Sequence, residues 1–363
     1  MPDLTLAHLR RHAVARSLFG PTTLADAIER FGFVQADPIR APARAQDLTL
    51  RHRVRGYRAG DLERRYAQLD AHEDFFVNYG FLSGTAWRFM HPRDRGLPWA
   101  SGQKRRAAEV LAFVQARGRA HPREVEAALG HGSVVNYWGG QSNATTRLLD
   151  QLHYRGELRV VGRERGVRVY APHVHAPRAR RAPERRAQID ALVDLCVHVY
   201  APLPARTLTD LVHRLRHAVP QHRDELGAAL ERAKKRLPWT EVVGLRWTWP
   251  PHEDPRAVET EPDDRVRLLA PFDPVVWDRR RFEAFWGWAY RFEAYTPITR
   301  RTLGYYALPV LWRDRAVGWA TIASDGSKLR ARFGHVDRGV ARDPIYRRER
   351  DAEIARMERF LGL

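Results

Sequence analysis

One cysteine, Cys196, stands alone in 363 residues. The chain can therefore close no internal disulfide, and a cysteine-rich zinc or iron–sulfur site is excluded. Long apolar runs are missing as well. None approaches the ~18 residues a membrane helix needs, and the opening MPDLTLAHLRRH has no apolar core of a secretion signal. Lysine is scarce: Lys104, Lys234, Lys235 and Lys328 are the only four, so 58 of the 62 basic residues are arginine. No glycine-rich phosphate loop of the Walker or dinucleotide type occurs, and no GxSxG elbow. These gaps remove membrane, secreted, nucleotide-cradling and serine-hydrolase classes. They leave the expectation of a cytoplasmic, nucleoid-associated protein.

What is present in excess is positive charge. Lys+Arg outnumber Asp+Glu 62 to 43, for a net charge of +19 and a pI near 10.8. A surplus of that size points to a polyanion partner, with nucleic acid ahead of an anionic membrane. Codon bias alone can favour arginine over lysine, so only the net charge is weighed. The 44% hydrophobic content suffices for real cores, and the length suggests two or three domains.

Periodicity organises the chain. LTLAHLRRHAVARSLFG has a helical apolar period, and PTTLADAIERFG follows with Thr22 or Thr23 placed to cap and Gly32 placed to stop. KRRAAEVLAFVQARG, HPREVEAALG and SNATTRLLDQLHYRG read as three helices, with Ala107, Val110, Leu111 and Val114 on one face of the first. ELRVVGRERGVRVY then reads as a hairpin: Leu158 and Val160 alternate with polar partners, RERG turns, and Val167 and Val169 alternate back. Three helices and a hairpin make the winged-helix pattern. After a basic, proline-broken linker, QIDALVDLCVHVY and its successors repeat the order of elements. From Pro255 the chain turns β-rich, with tryptophans at 277, 286, 288, 312 and 319 and a charged terminal helix. The expected fold is α+β: three tandem winged-helix motifs (residues 1–100, 101–176 and 177–254), then a small β-rich C-terminal domain at 255–363.

The chemistry centres on VQADPI. Residues two apart diverge on a helix but share one face of an extended segment, and Pro38 pushes Asp37 toward extended angles. Gln35 and Asp37 can then converge. The plainer reading makes Asp37 a helix cap with Pro38 at the first helical position. If the site is chemical, an amide and a carboxylate suit attack by water on a cationic sugar, because cleavage of an N-glycosidic bond builds oxocarbenium character. A base already charged by alkylation needs no strong general acid. From Arg40 to Arg58 the tract holds Arg40, Arg44, Arg51, Arg53, Arg55 and Arg58 against the single carboxylate Asp47. It is expected to meet phosphate. DAHEDFF sets His72 beside Glu73, either as a turn between helices or as further polar support for the cleft. No metal is expected: His8 and His12, and His213 and His217, are four apart but lack an HExxH glutamate, and His173 and His175 flank the linker. No lysine near VQADPI offers a Schiff base, and EPDDR reads as an exposed loop rather than a nuclease cluster. No cofactor is expected.

At this point the chain resembles the winged-helix DNA glycosylases of the YcaQ/AlkX and AlkZ type. VQADPI is similar to that family's Q-x-D motif. HEDFF, RLLDQLHYRGELRVVGRERGVRVY, LLAPFDPVVWDRRR, YRFEAYTP and GYYALPVLWRDRAVG resemble successive family blocks in order, over roughly residues 4–330. The resemblance implies a monofunctional DNA glycosylase removing N7-alkylated purines, including bulky or crosslinked ones, from double-stranded DNA. It implies Gln35 and Asp37 as the catalytic pair, with His72 and Glu73 in support. Arg40, Arg44, Arg51, Arg53, Arg147, Arg165, Arg168, Arg279, Arg280 and Arg300 are the expected DNA contacts, and a monomer the expected state. The competing reading is a non-enzymatic winged-helix DNA-binding protein, a transcription regulator or architectural factor.

Overall fold

The protein is seen here as a computed structural model that describes residues 3–93, 98–99, 102–130, 132–135, 141–174, 181–258, 262–324 and 326–363. Helix α1 (Leu6–Ser17) starts in a capping box exchanged between Thr5 and His8. Helix α2 (Leu24–Phe31) starts at Thr23, whose hydroxyl accepts the Asp26 N–H, and ends at Gly32 with φ +68°. That angle is cheap only for glycine. Then come β1 (Phe33–Gln35), α3 (Ala45–Leu50), α4 (Asp61–Arg65), β2 (Ala71–Phe75), β3 (Tyr79–Ser83) and α5 (Gly84–Arg88). The three strands pair antiparallel in the order β1–β3–β2. The DAHEDFF stretch is thus strand β2 and not a turn, because its residues pair across to β3 from Ala71 to Phe75.

The next segment holds α6 (Gln103–Arg117), α7 (Pro122–Leu129), a short pair β4 (Ser133–Val135) and β5 (Gln141–Asn143), α8 (Ala144–Arg155), and the hairpin β6 (Leu158–Glu164) and β7 (Val167–Pro172). Ala120 bridges antiparallel to Tyr170 of β7. Of the two alternating hairpin valines, Val169 is buried and Val167, paired with Glu164 beside the turn, is exposed. The third segment runs α9 (Ala182–Tyr200), β8 (Leu203–Pro204), α10 (Ala205–Arg214), α11 (Leu226–Arg236), β9 (Trp239–Val242) and β10 (Leu245–Thr248). Its sheet order is β8–β10–β9.

One order therefore recurs: helix, first strand or bridge, two helices, hairpin, with the first strand paired to the last. It is met in α2–β3, in α6–β7 and in α9–β10. The last segment holds β11 (Val266–Leu268), α12 (Pro274–Trp277), α13 (Arg279–Trp286), β12 (Leu308–Trp312), β13 (Arg315–Ser324), β14 (Leu329–His335) and α14 (Pro344–Leu361). Its four strands form one antiparallel sheet in chain order, and its helices are as prominent as its strands.

The interiors do not respect these segments. One apolar cluster joins Ile28 and Leu48 to Val110 and Leu149 and to Leu268, Val310 and Met357. A second joins Leu9, Phe33 and Met90 to Leu192 and Trp247. Buried ion pairs stitch the same seams. Arg53 and Asp273 meet at 2.6 Å with both side chains fully buried. Arg51 pairs with buried Glu353, which also accepts the Leu268 N–H at 3.0 Å. Burial alone would raise Asp74, but Arg93 at 2.8 Å and His91 at 2.6 Å override it and hold the carboxyl far below its ordinary range.

Candidate active site

Strand β1 delivers Gln35 to the end of the first sheet, opposite Gly80 of β3. The Gln35 Oε1 accepts two N–H groups, Trp277 Nε1 at 2.9 Å and Asn78 Nδ2 at 3.1 Å. An indole nitrogen can only donate, so Trp277 settles which way the amide faces. The oxygen is engaged and the NH2 end points away from both partners. Gln35, Asn78 and Trp277 line an open cavity of about 440 Å³, together with Phe272, Arg214, Arg279 and Arg280.

Asp37 follows on the loop between β1 and α3. It is not a helix cap, since residues 36–44 form no helix. Its Oδ1 accepts the Ile39 N–H at 2.9 Å, and its own N–H donates to Gln46 Oε1 at 3.3 Å. Asp37 is 9% exposed. Burial pushes its pKa up, and the Ile39 N–H pulls back only in part. Among the described residues no ion pair engages it, in contrast to Glu73, Asp74, Asp273 and Glu353. A buried carboxylate with no cation on it holds its charge available for something else.

Aromatic residues of the last segment stand beside it. Tyr306 is pushed up by burial first and then by the charge of Asp37, and the same two causes act on Tyr295. Phe292 links them: it lies 5.3 Å from Tyr306, 6.0 Å from Tyr295 and 5.0 Å from Phe272 of the cavity. Tyr295 is 79% exposed. The Tyr306 hydroxyl is buried without a partner among the described residues. The result is an aromatic wall running from the cavity to the carboxylate.

The remaining expected residues scatter. Glu73 does not enter this cleft. It is bound by Arg163 and, at 3.4 Å, by Arg168, both of the β6–β7 hairpin. Neighbours in a strand face opposite ways, so His72 points elsewhere again. It stacks on Trp87 at 4.1 Å and sits 3.6 Å from Asp70, its pKa pushed down by burial. The pair serves the packing of the sheet.

Arg53 cannot meet phosphate, because it is fully buried on Asp273 and on the carbonyls of Ser17 and Thr49. Arg51 is committed to Glu353 at the far end of α3. Arg168 is held by Glu73, by Asp150 at 3.1 Å and by the ring of Tyr79. Arg279 lines the cavity, anchored on the Val276 and Pro271 carbonyls and stacked 4.5 Å from Tyr290. Arg280 is exposed on the same rim, paired with Asp210 at 2.9 Å. Arg40 and Arg300 are exposed, as are Arg147 on α8 and Arg165 at the hairpin turn. Arg44 pairs with Glu63 and abuts the turn at Gly166. The hairpin turn and the loop that carries Asp37 are therefore neighbours.

Asn78, Trp277, Tyr306 and Arg214 belong to the site although sequence reasoning does not single them out. Trp277 lies within the distinctive LLAPFDPVVWDRRR block and among the clustered tryptophans, and Tyr306 lies within GYYALPVLWRDRAVG, but neither signal marks a site. Among the described residues no three His, Cys, Asp or Glu side chains gather as metal ligands, and no helix is long and apolar enough to cross a membrane.

A family model described as DNA glycosylase AlkZ-like matches residues 28–360. The fold is similar to that of Streptomyces sahachiroi DNA glycosylase AlkZ, with a TM-score of 0.64 at 14% identity, over 100% of this chain and 98% of that one.

Proposed function

The chain belongs to the AlkZ-like family of DNA glycosylases, and on that footing we propose that it is monofunctional and hydrolyses the N-glycosidic bond of N7-alkylated purines. The observation that carries this reading is a buried, unpaired Asp37 two residues from an amide of fixed orientation. A water between them would accept a hydrogen bond from the Gln35 NH2 and give its proton to the Asp37 carboxylate. The same carboxylate would stabilise the oxocarbenium as the base departs. An N7-alkylated purine leaves as a neutral base, so the absence of a strong acid is no obstacle.

The aromatic wall of Phe272, Phe292 and Tyr306 supports stacking of an extruded base. Arg214, Arg279 and Arg280 on the rim support contacts to flanking phosphates, as do Arg40, Arg44, Arg147, Arg165 and Arg300 on exposed or neighbouring surfaces. The three recurring segments are read as winged-helix motifs that track a duplex, with the protein acting on DNA as a monomer in the cytoplasm. The cavity opens widely, so bulky N7 adducts and the tethered base of an interstrand crosslink fall within the proposal. Hydrolysis by water rather than by an amine fits the cavity lining, which includes no lysine.

The test is release of free base from duplex DNA carrying N7-methylguanine. Strand breaks should appear only after alkali treatment. Strand cleavage without alkali would contradict monofunctional hydrolysis. Intact lesion at enzyme excess would refute the substrate class.

A further inference from the structure

The arginine tract that follows the Asp37 loop is divided by helix α3. Arg44 stands just before the helix and Arg51 just after it, seven positions and roughly 10.5 Å apart along the axis. Beyond Arg51 lies a second basin of about 650 Å³, lined by Arg51, Arg55, Arg58, Arg265, Arg356 and Arg359, with no aspartate or glutamate and with the single terminal carboxylate of Leu363 among its lining residues. These arginines come from two distant parts of the chain, the loop after α3 and the last segment with α14.

Their neutralisation is incomplete. Glu353, buried behind the basin, serves both Arg51 and Arg356. Arg55 reaches the Pro21 carbonyl at 3.3 Å. The Nε atoms of Arg51 and Arg265 are buried with no hydrogen-bond partner, and the Arg51 side chain is only 4% exposed. Burial and the neighbouring Arg356 and Arg267 press the Arg265 guanidinium below its ordinary range. A fold that gathers six guanidinium groups around one opening, with buried N–H groups left over, bears repulsion that an incoming anion would relieve.

We propose that this basin binds vicinal phosphate groups, at a site separate from the cleft of Gln35 and Asp37. Guanidinium forks match phosphate oxygens in pairs. The volume exceeds what one phosphate fills, and several forks call for more than one negative charge. Two sources supply that chemistry: consecutive phosphates of a nucleic-acid strand, or a free diphosphate group. The first source rests on the glycosylase reading above, and the second does not.

The experiment compares the full-length protein with R265Q/R359Q. Neither side chain holds a structural ion pair among the described residues, and neither belongs to the catalytic cleft. Calorimetric titration with pyrophosphate, with orthophosphate as control, reads the free-diphosphate arm. Wild type should bind pyrophosphate at least tenfold more tightly than the double variant, and more tightly than it binds orthophosphate. Anisotropy titration of an undamaged duplex across a salt series reads the strand arm. There the slope of log affinity against log salt should fall by about 0.9 for each phosphate that the variant no longer neutralises. Either result supports the site and identifies its source. Equal pyrophosphate binding together with an unchanged salt slope overturns it. Base release at saturating DNA should stay equal in the two proteins. If wild type released no base, the glycosylase reading would fall while the pyrophosphate arm still reported.

Discussion

Replacing Asp37 by asparagine isolates the charge of one buried carboxylate at nearly constant shape. The amide oxygen of the new side chain can still accept the Ile39 N–H now bound at 2.9 Å, so the loop keeps its anchor. What disappears is a full negative charge that no cation offsets among the described residues. Placed ~4 Å from a developing sugar cation, at an effective dielectric of ~20, that charge is worth about 4 kcal/mol. At 1.36 kcal/mol per factor of ten, the chemical step should slow by about 10³. The assay is single-turnover release of N7-methylguanine, with enzyme saturating over DNA for both proteins. The pH profile adds a second readout. Burial holds the Asp37 pKa above its ordinary 3.8, so wild-type rate should climb with pH as the carboxylate ionises through that raised pKa. The D37N profile should be flat there. Stability runs the other way. A carboxylate whose pKa is raised on folding favours the folded state below its unfolded pKa, and loses that contribution as pH rises through the folded pKa. D37N should therefore melt higher than wild type at neutral pH. A D37N rate within tenfold of wild type, with saturation verified, would refute the electrostatic role.

Trp277→Phe removes the only partner of Gln35 that can do nothing but donate. One neutral hydrogen bond of ~1 kcal/mol is lost, and the expected result is a two- to tenfold fall in single-turnover rate with DNA affinity unchanged. A loss of affinity at constant rate would make Trp277 a mere cleft wall. Arg53→Met should lower the melting temperature sharply, since leaving Asp273 buried without its partner costs about 3–5 kcal/mol. The double variant R53M/D273L should recover much of that loss in thermal denaturation, and no recovery would mean that the carbonyl contacts of Arg53 and the Asp273 cap on the Val275 N–H outweigh the ion pair. Gly80→Ala would drive a methyl into the Val34 carbonyl and the Phe33 ring. Overpacking there costs about 1–3 kcal/mol and should displace Gln35, so urea midpoint and base-release rate should fall together.

Local signals are legible where local physics decides. Thr23 and Gly32 bound α2 as capping rules require, and the RERG turn closes β6 onto β7. The extended course of the chain at Asp37 is also legible, because a proline after Asp37 disfavours helix and residues 36–44 form none. The arginine tract is not. Charge tells only that a guanidinium needs an anion, and Arg53 finds Asp273 some 220 residues away rather than a phosphate. Strand β2 reads as a turn because HED carries no β-branched residue; its pairing with β3 overrides that composition. The Trp277 latch on Gln35 spans 242 positions, and no local pattern encodes a contact at that range.

That separation also sets an order in time. At ~5–20 residues per second, a ribosome takes roughly 12–48 s to pass from Gln35 to Trp277. Through that interval the nascent first segment already carries its arginines. It lacks the indole that turns the amide, the Asp273 that receives Arg53, and the aromatic wall beside Asp37. A prematurely ended chain could cling to a duplex, but its scissile machinery would be unassembled. With Gln35 and Asp37 as the proposed catalytic pair, completion of synthesis would act as a licence, and unfinished copies would leave no abasic sites behind them.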